Sequence, residues 1–140
     1  MSRSRVRLAR TPDGRRLEVS RDVRADRDAA WALLTDTRRW PEWGPTVGAV
    51  ETDEPRIRAG STGRVRVAGL WLPFEVTFCE GYRWTWDVAR LPATGHRVDA
   101  PAGDGTSRCR VVFEVPVLAA GYAPVCDRAL DRIADLLGEG

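Results

Sequence analysis

The 140-residue sequence has no lysine, and all 22 of its basic residues are arginine. A GC-rich coding sequence produces that bias without selection for guanidinium chemistry. Set against 20 acidic residues, the arginines leave a net charge of only +2, whereas nucleic-acid partners call for a dense basic face. Histidine is almost missing, with His96 alone. A metal site would therefore need carboxylates, and no compact cluster offers them, so neither a metal nor a cofactor is expected. The three cysteines, Cys79, Cys109 and Cys126, are odd in number and outside any C-x-x-C spacing, which excludes a disulfide framework or zinc site. No apolar run approaches the roughly 20 residues that span a bilayer. No apolar segment follows the charged start MSRSRVRLAR, so a secretory signal is excluded and a cytoplasmic location is expected. G-x-x-x-x-G-K, G-x-S-x-G and H-E-x-x-H are all absent.

What remains is an ordinary globular composition, 43% hydrophobic and 30% charged, of a length that fits one core. Arg3, Arg5, Arg7, Arg10, Arg15 and Arg16 crowd the start of the chain with no aromatic between them. That pattern suits a charged arm or edge strand better than a phosphate-binding tail, and residues 1–14 are read as such an arm, with one domain over 15–140. Thr11-Pro12-Asp13-Gly14 is a turn signal. After it Leu17, Val19, Arg21 and Val23 share one strand face. Asp26 offers a helix N-cap to a run whose apolar face is built on Ala30, Trp31 and Leu34. Asp36 can cap a second short helix, which Pro41 and Pro45 limit.

Strand alternation then dominates. Residues 47–50 and 64–68 read as strands; Leu72, Phe74, Val76 and Phe78 are expected on one face, and Tyr82, Trp84, Trp86 and Val88 on another. A strand is expected around Gly95 to Asp99, a turn at Ala102-Gly103-Asp104-Gly105, and a last strand from Ser107 to Val117. The segment from Ala119 to Leu137 reads as a helix starting near Pro124, with Tyr122, Cys126, Ala129, Leu130, Ile133 and Leu137 as its apolar stripe.

The stretch ADRDAAWALLTDTRRWPEWGPTV, Ala25 to Val47, with its W-P-x-W-x-P turn, resembles the opening of the START-like (SRPBCC) superfamily, which includes polyketide cyclase/dehydrase-like proteins. The resemblance implies an α+β helix-grip fold. In it a curved antiparallel sheet of six or seven strands wraps a long C-terminal helix, with two short helices after the first main strand. It also implies a cavity between sheet and helix for a hydrophobic or aromatic small molecule. Binding without established catalysis is the first functional expectation. An aromatic polyketide cyclase or dehydratase, working by orienting a reactive chain, is the alternative, and a non-catalytic interaction module with a filled core is the third. No stable membrane insertion is expected, and a homodimer is compatible with the sequence.

Residues expected to line such a cavity are Trp40, Trp43, Phe74, Phe78, Tyr82, Trp84, Trp86, Phe113 and Leu130. Large rings with a few polar groups line pockets, yet the same rings fill ordinary cores, and Trp40 and Trp43 are read first as a staple of the short helices to the sheet and only second as lining. No catalytic residue is assigned. The candidates are His96, which titrates near neutrality when unperturbed, Tyr82 as a hydrogen-bond donor, and Arg21. A guanidinium on an apolar strand face needs a partner, with Asp36, Glu42 or an acidic ligand as the options.

Overall fold

Alternating apolar and polar residues build eight antiparallel strands into one sheet in the computed structural model, which describes residues 4–100 and 107–138. They are β1 (Arg5–Thr11), β2 (Gly14–Val23), β3 (Val47–Thr52), β4 (Thr62–Val67), β5 (Leu70–Glu80), β6 (Arg83–Val88), β7 (Leu91–Asp99) and β8 (Cys109–Pro116). Their order across the sheet is β1-β2-β8-β7-β6-β5-β4-β3. That is one strand more than the resemblance implies, since β1 pairs along the outer edge of β2. The glycine turn expected at 102–105 lies outside the described residues.

Helix α1 (Arg27–Thr35) and α2 (Trp40–Trp43) follow β2, and α3 (Ala123–Leu136) closes the fold after a 3-10 segment at Val117–Tyr122. Asp26 precedes α1 without a side-chain cap bond. The Asp36 carboxylate accepts from the Arg38 amide at 3.0 Å and so caps the short turn between α1 and α2. Helix α3 lays Cys126, Ala129, Leu130, Ile133 and Ala134 onto the concave face of the sheet. Burying Leu130 and Ile133 contributes about 1.5–3 kcal/mol each. Arg21 finds its partner here: its guanidinium donates to Asp131 on α3, not to Asp36 or Glu42. Because α3 crosses β2, the charge on the inner strand face meets a carboxylate at the helix flank.

A β-bulge changes one expected face. The β5–β6 register shifts between Val76 and Phe78, so Val76 still opposes Trp86 while Phe78 opposes Thr85. Phe74 and Val76 are buried inside, but Phe78 is turned to the outer face, 38% exposed, beneath the Arg83 guanidinium. An extra residue reverses side-chain parity beyond it, which a period-2 reading cannot anticipate.

The outer face carries a buried ion network. Glu18 on β2 and Glu114 on β8 are directly paired. Arg97 joins them, donating to Glu18 Oε2 at 2.7 Å and to Glu114 Oε2 at 2.9 Å. Arg83 grips Glu114 through two bonds and reaches Asp13 at 2.9 Å. The flanking guanidiniums outweigh burial and hold the Glu114 carboxyl below the usual range. Gly95 makes room for this carboxylate, since a Cβ there would sit 2.8 Å from Glu114 Oε1.

Candidate ligand-binding site

Between sheet and α3 lies a small inner chamber of about 40 Å³, walled largely by aromatic rings. Trp40 stacks on Trp84 with centroids 5.1 Å apart and planes 2° apart, and Trp86 meets Trp40 edge-on at 5.2 Å. Phe113 and Trp43 face each other at 5.7 Å. The W-P-x-W turn positions two of these rings: Trp40 Nε1 donates to the Leu34 carbonyl at 2.9 Å and Trp43 Nε1 to that of Leu33 at 3.2 Å. Each indole thus ties α2 to the end of α1 while its ring forms a chamber wall, so the staple and the lining are the same residues.

A second, wider space of about 320 Å³ lies beside the chamber and is open to solvent, and its wall is almost wholly apolar, including Val65, Val67, Leu72, Val88 and Val115. Chamber and groove share Val47, Trp86, Thr94 and Tyr122. Across this junction the Tyr122 hydroxyl lies 2.6 Å from Thr46 Oγ1, linking the approach to α3 with the approach to β3.

The polar content is concentrated at one point. Trp86 Nε1 donates to Thr94 Oγ1 at 3.3 Å, and Thr94 Oγ1 lies 2.9 Å from His96 Nε2. His96 points inward from β7, 2% exposed, its ring stacked on Trp84 at 3.9 Å. Burial lowers its pKa to about 3, so the imidazole is neutral at physiological pH. With Nε2 unprotonated, the Thr94 hydroxyl donates to it. With Nε2 protonated, the imidazole donates and the hydroxyl proton is available to a ligand carbonyl. Cys126 also lines the chamber, but burial pushes its thiol up to about 12, so it is not a nucleophile. Among the described residues no group of His, Cys, Asp and Glu could hold a metal ion.

Of the residues anticipated from sequence, Trp40, Trp43, Trp84, Trp86 and Phe113 line the chamber. Phe74 packs behind them, 5.6 Å from Trp40 and 5.7 Å from Trp86, and Leu130 is fully buried on the sheet-facing side of α3. Phe78 lies on the other face of the sheet. Tyr82 is also away from the space: in the β5–β6 turn, it donates to Asp28 at 2.5 Å and carries the Arg27 guanidinium 3.8 Å over its ring. It clamps α1 to the strands. Thr94 and Tyr122, which define the junction, were not anticipated as site residues; the available signals were the alternation of Thr94 with His96 and the place of Tyr122 in the apolar stripe before α3.

An antiparallel sheet curled around a C-terminal helix, with an apolar space between them, defines the helix-grip class. The chain belongs to the polyketide cyclase/dehydrase and lipid transport family, whose model matches residues 14–138. No curated protein is similar enough to count as a match. Among solved structures, it resembles a Thermobifida fusca protein determined by solution NMR, at 20% identity and TM-score 0.62 over 87% of this chain and 92% of that one. A hypothetical protein from Helicobacter pylori shares 10% identity with a TM-score of 0.65, covering 98% of this chain and 88% of its own. CalU16 from Micromonospora echinospora gives 16% identity and 0.58 over 98% and 84%. At these identities the likeness is one of fold.

Proposed function

We propose that the protein binds a hydrophobic small molecule, its apolar body in the groove and its leading end in the aromatic chamber. The observation that carries this reading is the adjacency of the two spaces, which share Val47, Trp86, Thr94 and Tyr122 as wall. The groove volume is near the lower end of ligand sites, and a single polar point at Thr94 suits a ligand with one carbonyl or hydroxyl at its tip. The free cysteines fit a reducing, cytoplasmic setting. The test is native mass spectrometry of freshly purified protein, followed by tryptophan-fluorescence titration with fatty acids, sterols and polycyclic phenols. Several of the tryptophans line the chamber, so occupancy should change their emission. Val47→Trp, at the junction, should weaken binding about tenfold or more. A chain that carries nothing and responds to no member of the panel would sink the reading.

Cyclase or dehydratase chemistry is a second reading, favoured by the Trp86–Thr94–His96 chain. A neutral, weakly basic imidazole behind a hydroxyl can steer an enolising carbonyl, while the walls fold the rest of the chain. Thr94→Val slowing turnover of a poly-β-ketone analogue without weakening its binding would support it; unchanged product distribution would refute it.

A further inference from the structure

The antiparallel register places the β4–β5 turn, the β6–β7 turn, the end of β8 and the start of β2 at one end of the sheet. The groove opens at this end. Leu70 opposes Val67 and Leu91 opposes Val88; both valines line the groove, and directly opposed residues share a sheet face. Leu70 and Leu91 therefore stand on the sheet-side lip, 65% and 68% exposed. On the opposite lip, just after β8, Val117 is 49% exposed and Leu118 is fully exposed. Large aliphatic side chains in water at separate turns around one opening are not accounted for by packing, since none of them reaches the core.

Unpaired arginines gather at the same end. Arg15, Arg16, Arg66 and Arg90 form no ion pair among the described residues. Glu75 and Asp87 oppose each other, also lack an ion pair and lie on the outer face, as Arg66 does between the groove-lining Val65 and Val67, while Arg90 stands at the tip of a turn beside the mouth. Arg90 occupies the tip of the β6–β7 turn at φ 67°, next to Ala89 at φ 52°. Both are in the left-handed region that non-glycine residues rarely adopt, so the turn projects a long cation where glycine would fit the backbone better.

We propose that this end of the molecule is a peripheral docking surface for an anionic lipid bilayer, with Leu70, Leu91 and Leu118 entering the acyl boundary and the arginines meeting the headgroups. Such a contact places the groove mouth against the bilayer, so an apolar ligand passes between them without crossing water. The attachment is reversible: no helix among the described residues is long and apolar enough to cross a membrane, and the contact consists of a few side chains plus charge.

The experiment is co-sedimentation with phosphatidylcholine vesicles and with mixed phosphatidylcholine–phosphatidylserine vesicles, at low and high salt. The expected result is binding to the mixed vesicles alone, weakened by salt. It should be lost in Leu118→Asp and reduced about 5-fold in Arg90→Gln. Both positions are exposed turn residues, and circular dichroism checks that each variant is folded. Absence of binding to mixed vesicles, or binding indifferent to Leu118→Asp, overturns the proposal. So does a dimer in sedimentation velocity that Leu118→Asp dissociates, because a second copy would then be what covers the leucines. Vesicle partitioning needs no ligand in the groove, so failure of ligand binding and failure of docking are read separately.

Discussion

His96 sits with its imidazole against Trp84 and its Nε2 on Thr94, and burial takes its pKa from 6.5 to about 3. The unfolded chain therefore takes up a proton near pH 6.5 that the folded chain refuses. Stability should fall as pH drops below 6.5, by up to about 1.4 kcal/mol per pH unit, until the folded-state value is reached. Glu114 adds to the loss only further down: its folded pKa lies below 4.5, so its contribution is present above that value and disappears as pH falls through the folded one. Thermal melts of the parent should thus decline between pH 6.5 and 5, whereas those of His96→Phe should be nearly flat there. Equal slopes would show that His96 is not buried neutral. The alternation of His96 with Val98 allowed an inward direction but equally a loop position beside Gly95; the strand buries it, and its partner was not legible, because Thr94 precedes the strand expected from sequence. Arg21 was legible as a charge that must be paired, while the identity of Asp131 required knowing that α3 crosses β2.

Strand β7 begins at Leu91, four residues before the start expected at Gly95. The reason lies in its turn. Ala89 and Arg90 form a tight hairpin connection with both residues at positive φ, a geometry that Asn-Gly or Asp-Gly normally announces. Without that signal, and with Pro92 and Gly95 inside the strand, the hairpin has no signature in the sequence. The same mismatch gives a prediction. Ala89→Asn, which tolerates the left-handed region and leaves Arg90 in place, should raise stability by about 1 kcal/mol, read as a higher midpoint in urea with an unchanged slope. A lower midpoint would mean that the turn is not strained. Elements whose signals agree with their backbones, such as the W-P-x-W turn, β8 and the stripe of α3, were readable directly. The bulge before Phe78 was not, since one inserted residue alters parity without altering composition.

Across the whole molecule, β1 lies outside the residues matched by the family, yet it is bound into the sheet and into its outer ion network. It covers the edge of β2 from Gly14 to Ser20, and Arg7 approaches Glu18 at 3.4 Å. The turn after it sends Asp13 to Arg83. Removing residues 1–13 should expose β2 as a bare edge and loosen the outer ion network; size-exclusion chromatography should then show aggregation, together with a lower melting temperature. A monomeric truncated chain of unchanged stability would make β1 an appendage. The facing glutamates carry a consequence for how the chain folds. Strands β2 and β8 come from opposite ends of the sequence, and their meeting brings Glu18 against Glu114, a like-charge pair that opposes contact until Arg97 from β7 and Arg83 from β6 are in place. Pairing of β2 with β8, the most non-local in the topology, is therefore favoured once the β6–β7 hairpin has formed, and registers that leave the arginines unengaged are disfavoured.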